Sequence, residues 1–187
     1  MALPAPRTSG GKPLLQALKE RKSSREFAAD PLPVRVLSDL LWAAAGINRE
    51  DGSRTAPTAH NKQEIEIYVA LKQGLFLYEP KGHRLRLVAP GDLRGGTGTQ
   101  DFVAGAPLNL VYVADFSKMA PGSKEERSLY SAADTGFISQ NVYLFCASEG
   151  LATVVRASVN RNALAEPLRL GPDRVVVLAQ SVGFPKK

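Results

Sequence analysis

The sequence has 187 residues, 44% of them hydrophobic, which is enough for one compact domain or for a domain completed by a partner subunit. Its net charge of +6 comes from cations scattered along the chain without a nucleic-acid-binding motif, so the charge argues against a nucleic-acid partner and favours small anionic ligands. One cysteine and two histidines exclude an internal disulfide and leave a zinc site without support, so we expect no metal.

Targeting signals are absent from this sequence. No apolar run approaches the ~20 residues that a membrane helix needs, and the first 13 residues, MALPAPRTSGGKP, lack the apolar middle of a secretory signal. We therefore expect a cytoplasmic protein without a membrane partner, or a periplasmic one if a signal peptide precedes this sequence. The proline and glycine content of residues 1–13 predicts a flexible leader before a single domain over residues 14–187.

Two helices are predicted in the first quarter of the chain, over residues 14–21 and 34–45, because leucine and alanine recur there at helical spacing. Between them, residues 20–27 (ERKSSREF) collect three cations and two hydroxyls. This segment is either a solvated helix end or an anion site, and taken alone it favours the solvated end. Residues 48–63 then break the helical pattern and predict a polar, functional loop.

The middle of the chain predicts a sheet. Alternating or strongly apolar runs indicate strands at residues 64–71, a hairpin at residues 74–89 and a central strand at residues 108–114. The glycine-rich residues 91–105 match neither common phosphate-loop spacing, so we do not interpret them as a phosphate loop.

A long helix dominates the last third of the chain. Ser123 and Glu126 form a capping box, and the helix runs from there to about Glu149, where Gly150 stops it. It is so apolar that it should be buried on most sides, either in the centre of the fold or in a subunit interface. A strand at 151–155, a short helix capped by Asn160 and a strand at 175–182 follow. This order indicates an α+β protein and not a doubly wound one.

Several separated segments together resemble the nitroreductase family of FMN-containing flavoproteins. They are residues 14–27 (LLQALKERKSSREF), 54–71 (RTAPTAHNKQEIEIYVAL), 132–155 (AADTGFISQNVYLFCASEGLATVV) and 175–187 (VVVLAQSVGFPKK). The resemblance covers nearly the whole chain and is strongest to the small branch related to dehydrogenases of peptide-derived thiazolines. It implies a central, mainly antiparallel sheet flanked by helices. It also implies an intertwined homodimer with the long helix at its interface, and FMN sites built from both chains.

The resemblance also implies the role of the basic segment after the first helix. Arg21 and Ser23 would hold the FMN phosphate, and Arg25 would face the pyrimidine edge of the ring, with Lys22 nearby. A planar guanidinium at that edge would stabilise the negative charge that reduction adds to the ring.

Three further segments of the expected site follow from the resemblance. A turn of small residues would approach the flavin of the other subunit, the backbone at the end of the long helix would lie over the ring, and a basic chain end would touch the phosphate. These residues are Pro57, Thr58, Ala59, Asn61, Glu149, Gly150, Leu151 and Lys187, with Lys186 a weaker candidate. The chain departs from the family in one respect, since Gln63-Glu64 stands where relatives often have Gln-Pro-Trp. Gly150 is equally well explained as a helix C-cap, and the turn as an ordinary proline turn.

No catalytic acid, base or nucleophile stands out, as expected where a flavin carries the chemistry. Four polar or aromatic residues could face a substrate, although packing or surface salt bridges explain each at least as well: Trp42, Asp134, Gln140 and Arg156. Cys146 lies on an apolar helix stripe and should be packing. The leading hypothesis is an FMN-dependent oxidoreductase that uses NADH or NADPH to reduce a nitro compound or quinone. The alternatives are a non-catalytic FMN- or anion-binding protein and a flavin dehydrogenase of a peptide-derived heterocycle.

Overall fold

A six-stranded antiparallel sheet forms the centre of the computed structural model, which describes residues 1–186. Its strands are Ile65–Leu71 (β1), Gly74–Glu79 (β2), Arg84–Pro90 (β3), Leu108–Asp115 (β4), Ala152–Arg156 (β5) and Arg174–Gly183 (β6). They lie in the order β3-β2-β1-β4-β6-β5, and each neighbouring pair is antiparallel. The predicted α+β class is confirmed, and the predicted strand ends differ from the observed ones by no more than one residue.

The helices are Leu14–Glu20 (α1), Val34–Ala45 (α2), Phe102–Gly105 (α3), Lys124–Glu149 (α4) and Arg161–Ala165 (α5). The predicted start of α4 is confirmed, because the Ser123 hydroxyl accepts the Glu126 N–H at 3.0 Å. Its end is confirmed as well, since Gly150 has a φ of 71°, a left-handed conformation that glycine adopts without strain. No helix within the described residues is both long and apolar enough to cross a membrane.

The core has two layers because alternate residues of the central strand β4 face opposite sides of the sheet. Leu110 and Tyr112 belong to the apolar cluster formed with α2 and α4, while Val111 and Val113 belong to a second cluster that includes Leu164 of α5. All eight residues of β4 are buried. The sheet therefore holds α2 and α4 on one face and α5 on the other.

Only one face of α4 is buried within a single chain. Ile138, Val142 and Cys146 pack into the core, whereas Leu129 is 69% exposed and Phe137 is 47% exposed. The expectation that α4 is buried on most sides is therefore wrong for the isolated chain. The remaining interpretation of its apolar composition is a surface that another subunit covers.

The leader, residues 1–13, contacts the rest of the chain at its first residue and near its middle. The amino group of Met1 donates to the carbonyl of Leu85 at 2.6 Å. Further along, the Arg7 side chain forms ion pairs with Asp39 of α2 at 2.6 Å and with Glu149 of α4 at 2.9 Å. The sequence analysis described this segment as flexible, and its composition contains no indication of these contacts.

Candidate functional site

Tyr143 of α4, which the sequence analysis did not single out, lies beside the predicted phosphate-binding segment. The guanidinium carbon of Arg21 is 5.2 Å from the centroid of the Tyr143 ring. The Ser23 hydroxyl is hydrogen-bonded to the Tyr143 hydroxyl at 2.8 Å. The Val155 N–H donates to the same hydroxyl at 3.0 Å. A tyrosine in a buried stretch of helix usually has a hydrogen-bond partner for its hydroxyl. This tendency is the one feature of the sequence that could have indicated a contact at Tyr143.

Replacing Tyr143 with Phe should lower the free energy of unfolding by about 1–3 kcal/mol, because the part-buried Val155 N–H loses its acceptor. Urea unfolding at equilibrium measures the change. Tyr130→Phe is the matched control, since Tyr130 lies on the same helix and is 40% exposed. Equal stabilities for the two variants would show that the Tyr143 hydroxyl does not join the segment after α1 to β5.

A cavity of about 500 Å³ lies between the segment that follows α1, the end of α4 and the end of the chain. This volume is within the range of cofactor sites, about 300–1,000 Å³. The residues that line it are Lys12, Glu20, Lys22, Ser24, Glu26, Tyr143, Cys146, Ala147, Gly150, Leu151, Ala152, Thr153, Pro185 and Lys186. Two of the segments predicted from the sequence thus meet at one cavity. Pro185 and Lys186, which follow β6, also line it.

Three lysines and two carboxylates, Glu20 and Glu26, line this cavity. Lys12 is paired with Glu20 at 2.5 Å, but within residues 1–186 neither Lys22 nor Lys186 forms an ion pair. Arg21 and Arg25 also form no ion pair in the described part of the chain. The predicted site residues Arg21, Ser23 and Arg25 do not line the cavity, but Arg21 and Ser23 both contact its lining residue Tyr143. The two unpaired ammonium groups in the lining therefore suit a phosphate, and the guanidinium of Arg21 lies next to the lining residue Tyr143. Lys187, the predicted terminal contact, lies outside the described residues.

The backbone after α4 forms the floor of the cavity through Gly150 and Leu151. The Leu151 N–H donates to the Cys146 carbonyl at 2.8 Å, which closes the helix end. Glu149 does not line the cavity, because its carboxylate accepts from Arg7 of the leader. Cys146 is fully buried, and burial raises the pKa of its thiol, as expected of a packing residue.

The turn of small residues lies elsewhere on the same chain. The Ala59 N–H donates to Asp134 Oδ2 at 3.0 Å, whereas the cavity contacts α4 at Tyr143 and Cys146. Position 143, the nearer of these two, is about 14 Å from position 134 along a helix that rises 1.5 Å per residue. Pro57, Thr58, Ala59 and Asn61 are therefore not brought to the cavity within one chain.

The four residues considered for the substrate side have mostly structural surroundings. Trp42 Nε1 donates to the Ile47 carbonyl at 3.1 Å, and Asp134 holds the turn. Arg156 is 5% exposed, and burial lowers its pKa to about 10. Its guanidinium donates to Thr97, Asn109 and Ser181. Gln140 is exposed on α4.

A larger cavity of about 980 Å³ lies beside the ends of β1 and β2. Its charged side chains are balanced, with four cations and four carboxylates: Arg54, Lys81, Arg84, Lys118, Glu50, Asp51, Glu66 and Glu79. None of the predicted site residues lines it. A balanced rim has no preference for an anion, so the smaller, more basic cavity is the better candidate.

The chain matches the family model described as the nitroreductase family over residues 18–184. It is 30% identical over 167 residues to a protein of Methanocaldococcus jannaschii assigned as a nitroreductase, covering 84% of each chain. A crystal structure of a protein from Ralstonia eutropha, also assigned as a nitroreductase, shares 46% identity with a TM-score of 0.94, covering 100% of this chain and 89% of that one.

A more distant likeness shows the fold alone. The Escherichia coli microcin synthetase complex McbBCD, solved with truncated pro-MccB17 bound, contains a chain that is 19% identical with a TM-score of 0.76, over 91% of this chain and 73% of that one. The match to the family model, by contrast, covers both the segment after α1 and the closing strand. The chain therefore belongs to the nitroreductase family of oxidoreductases.

Proposed function

We propose that this chain is an FMN-dependent oxidoreductase that transfers hydride equivalents from NADH or NADPH, through bound FMN, to a small organic acceptor such as a nitro compound or a quinone. The observation that carries the proposal is the cavity of about 500 Å³ with unpaired cations at its rim. Most of its lining lies within the family match over residues 18–184, and Lys12, Pro185 and Lys186 lie just outside it.

The residues present fit this cofactor. Lys22 and Lys186 line the cavity and can neutralise a phosphate. Arg21 is the adjacent cation, and its contact with the ring of the lining residue Tyr143 fixes the position of its guanidinium. When bound, FMN supplies the electron-transfer chemistry, so the chain needs no nucleophile of its own. Its residues bind, orient and shield the reacting ring.

A homodimer would complete the site. The turn at residues 57–61 is about 14 Å from the cavity along α4 of its own chain, so it can contribute only if a second copy brings it there. Exposed apolar side chains on α1 and α4 offer a surface for that copy: Leu14, Leu15, Leu18, Leu129, Tyr130 and Phe137. We therefore propose two sites per dimer, each with residues from both chains.

Arg25 should affect the potential of the flavin more than its binding. An exposed guanidinium near the ring stabilises the reduced form more than the oxidised form, because reduction adds negative charge. Arg25→Ala should therefore keep much of its affinity for oxidised FMN. Its midpoint potential should fall by roughly 30 mV for each ~1.4 kcal/mol of differential stabilisation lost. Spectroelectrochemistry measures the potential, and stopped-flow mixing with NADH or NADPH measures the accompanying loss of rate.

Arg25→Gln separates charge from hydrogen bonding, since the amide donates without a full charge, and its potential should fall between those of the wild type and Arg25→Ala. Equal potentials in the three proteins would mean that Arg25 is only a solvated side chain.

The proposed reaction is tested by mixing the FMN-loaded protein with NADH or NADPH, and then with a nitroaromatic compound or a quinone. We expect bleaching of the flavin by the nucleotide and its recovery on addition of the acceptor. Reduction no faster than that of free FMN would contradict the proposal and would favour non-catalytic FMN binding.

A further inference from the structure

The leader supplies one lining residue of the cavity of about 500 Å³, although the leader lies before the family match, which begins at residue 18. That residue is Lys12. Its Nζ donates to Glu20 Oε2 at 2.5 Å and to the Ala147 carbonyl at 3.1 Å, and both of these partners also line the cavity. The ammonium group of Lys12 therefore lies among the lining residues, in a segment that the family match does not include.

The backbone of Lys12 is fixed on the last turn of α4. Its N–H donates to the Ser148 hydroxyl at 2.8 Å. The preceding residue, Gly11, has a φ of 81°, and a Cβ atom there would lie 2.5 Å from Ser148 Oγ, so this close approach requires glycine. The leader is held again at Arg7, whose ion pairs join it to α2 and α4. The side chain of Lys12 can therefore change its partner while its backbone stays in place.

Glu20 is the counter-ion of Lys12 in the cavity, and an anionic ligand would compete with it. It is the last residue of α1, where the helix dipole disfavours a carboxylate. The hydrogen bond from Lys12 lowers the pKa of Glu20, so this group is ionised at neutral pH and repels an anion that enters the cavity. Its other oxygen, Oε1, accepts from Gln16 Nε2 at 2.8 Å, and its side chain is 39% exposed. Departure of Lys12 would leave the carboxylate hydrogen-bonded to Gln16 and hydrated.

The remaining charges of the lining are too few to balance a phosphate. Apart from Lys12 and Glu20, the charged lining residues are Lys22, Lys186 and Glu26, two cations and one carboxylate. A phosphate monoester carries a charge of about −1.5 to −2 at pH 7. Transfer of the Lys12 ammonium group from Glu20 to the phosphate would supply the missing cation.

We propose that Lys12 is a phosphate-binding residue of this cavity, and that the phosphate of the bound ligand replaces Glu20 as the partner of its ammonium group. Glu20 is then a competing internal anion, which lowers the affinity of the empty cavity for phosphate monoesters. The proposal rests on the proposed function where it takes FMN as the ligand. It goes beyond that function because it makes the leader part of the site and assigns Glu20 an opposing role.

Titration of FMN-free protein with FMN tests the proposal through the sign of the Glu20 effect. Glu20→Gln removes the competing charge, so FMN affinity should increase by up to about fivefold. Lys12→Ala removes the cation, so FMN affinity should fall by about three- to tenfold. An ion pair with only a structural role would weaken binding, or leave it unchanged, in both variants. A Glu20→Gln protein that binds FMN no more tightly than the wild type would overturn the proposal.

The double variant shows whether the gain depends on Lys12. If the phosphate takes over the ammonium group, Glu20→Gln should change FMN affinity little when Lys12 is already replaced by Ala. An equal gain with and without Lys12 would mean that Glu20 repels the phosphate without an exchange of partners. That result would also overturn the proposal.

Riboflavin, which lacks the phosphate, is the ligand control, and its affinity should be the same in the wild type and both single variants. Equal losses of FMN and riboflavin affinity in Lys12→Ala would contradict a contact with the phosphate. The matched control variants are Lys19→Ala and Glu125→Gln, which remove exposed charges outside the cavity and should bind FMN as the wild type does. If FMN binds the wild type and the variants alike, this proposal fails and the proposed function stands. A wild type that binds no FMN would contradict both.

Discussion

Replacing Phe137 with Asp is expected to convert a dimer into a monomer of 20.1 kDa and to remove most FMN binding. Phe137 is 47% exposed on the face of α4 that its own chain leaves uncovered. Under the proposed shared site this face meets the second copy, where a buried and unpaired carboxylate is costly. Loss of an aromatic contact of this kind corresponds to about 2–4 kcal/mol, or roughly a 30- to 1,000-fold weaker association.

Sedimentation equilibrium at micromolar concentration measures the mass, and FMN titration of the same samples measures the affinity. Leu87→Asp is the matched control, because Leu87 is 53% exposed on β3, an edge strand. The control should remain dimeric and bind FMN as the wild type does. A dimeric Phe137→Asp protein with wild-type affinity would place the interface elsewhere.

Arg21→Ala is expected to weaken FMN binding by about ten- to a hundredfold. A charged donor to a phosphate contributes ~1.5–3 kcal/mol, and alanine also loses the contact with the Tyr143 ring that fixes the guanidinium. Arg21→Lys keeps the charge without the planar group and should fall between the two.

Titration of FMN-free protein measures these affinities. Lys19→Ala is the control, since it removes an exposed cation from α1, the helix that precedes Arg21, without touching Tyr143. If Arg21→Ala binds FMN as tightly as Lys19→Ala, the segment after α1 does not hold the phosphate.

Local signals predicted most of the secondary structure. Ser123 and Gly150 mark the two ends of α4. The Ser123 hydroxyl accepts a backbone N–H of the first turn, and the left-handed conformation of Gly150 lets its own N–H donate to a carbonyl of the last turn. The strands were readable from alternation, which reflects the two faces of the sheet. These features depend on residues that are close in sequence, so a single sequence is enough to predict them.

Long-range contacts were not readable in the same way. The Ala59 N–H meets Asp134, 75 positions later, and Ser23 meets Tyr143, 120 positions later. Arg7 reaches Glu149 from a segment whose composition suggests flexibility. No local sequence pattern predicts such pairs, because the residues around each partner do not indicate which distant residue it contacts.

Family resemblance predicted the segments of the candidate site and their division between two chains. It correctly indicated the family. It also led us to expect residues 21–25 at one flavin and residues 57–61 at the flavin of the other subunit, and within one chain residues 57–61 do not line the cavity beside residues 21–25. The comparison with the family also showed that Gln63-Glu64 replaces the usual Gln-Pro-Trp, but it did not indicate where Glu64 lies. The consequence of that departure, a fully buried carboxyl group, depends on the packing of β1 against α4.

The central claim, a phosphate-binding flavin site shared between two copies, is tested most directly by titrating the purified protein with FMN. Visible absorbance would be recorded together with sedimentation equilibrium on the same samples. We predict saturable binding of one FMN per chain to a dimer, with a perturbed flavin spectrum. A protein that stays colourless after incubation with FMN and removal of the excess would contradict the claim.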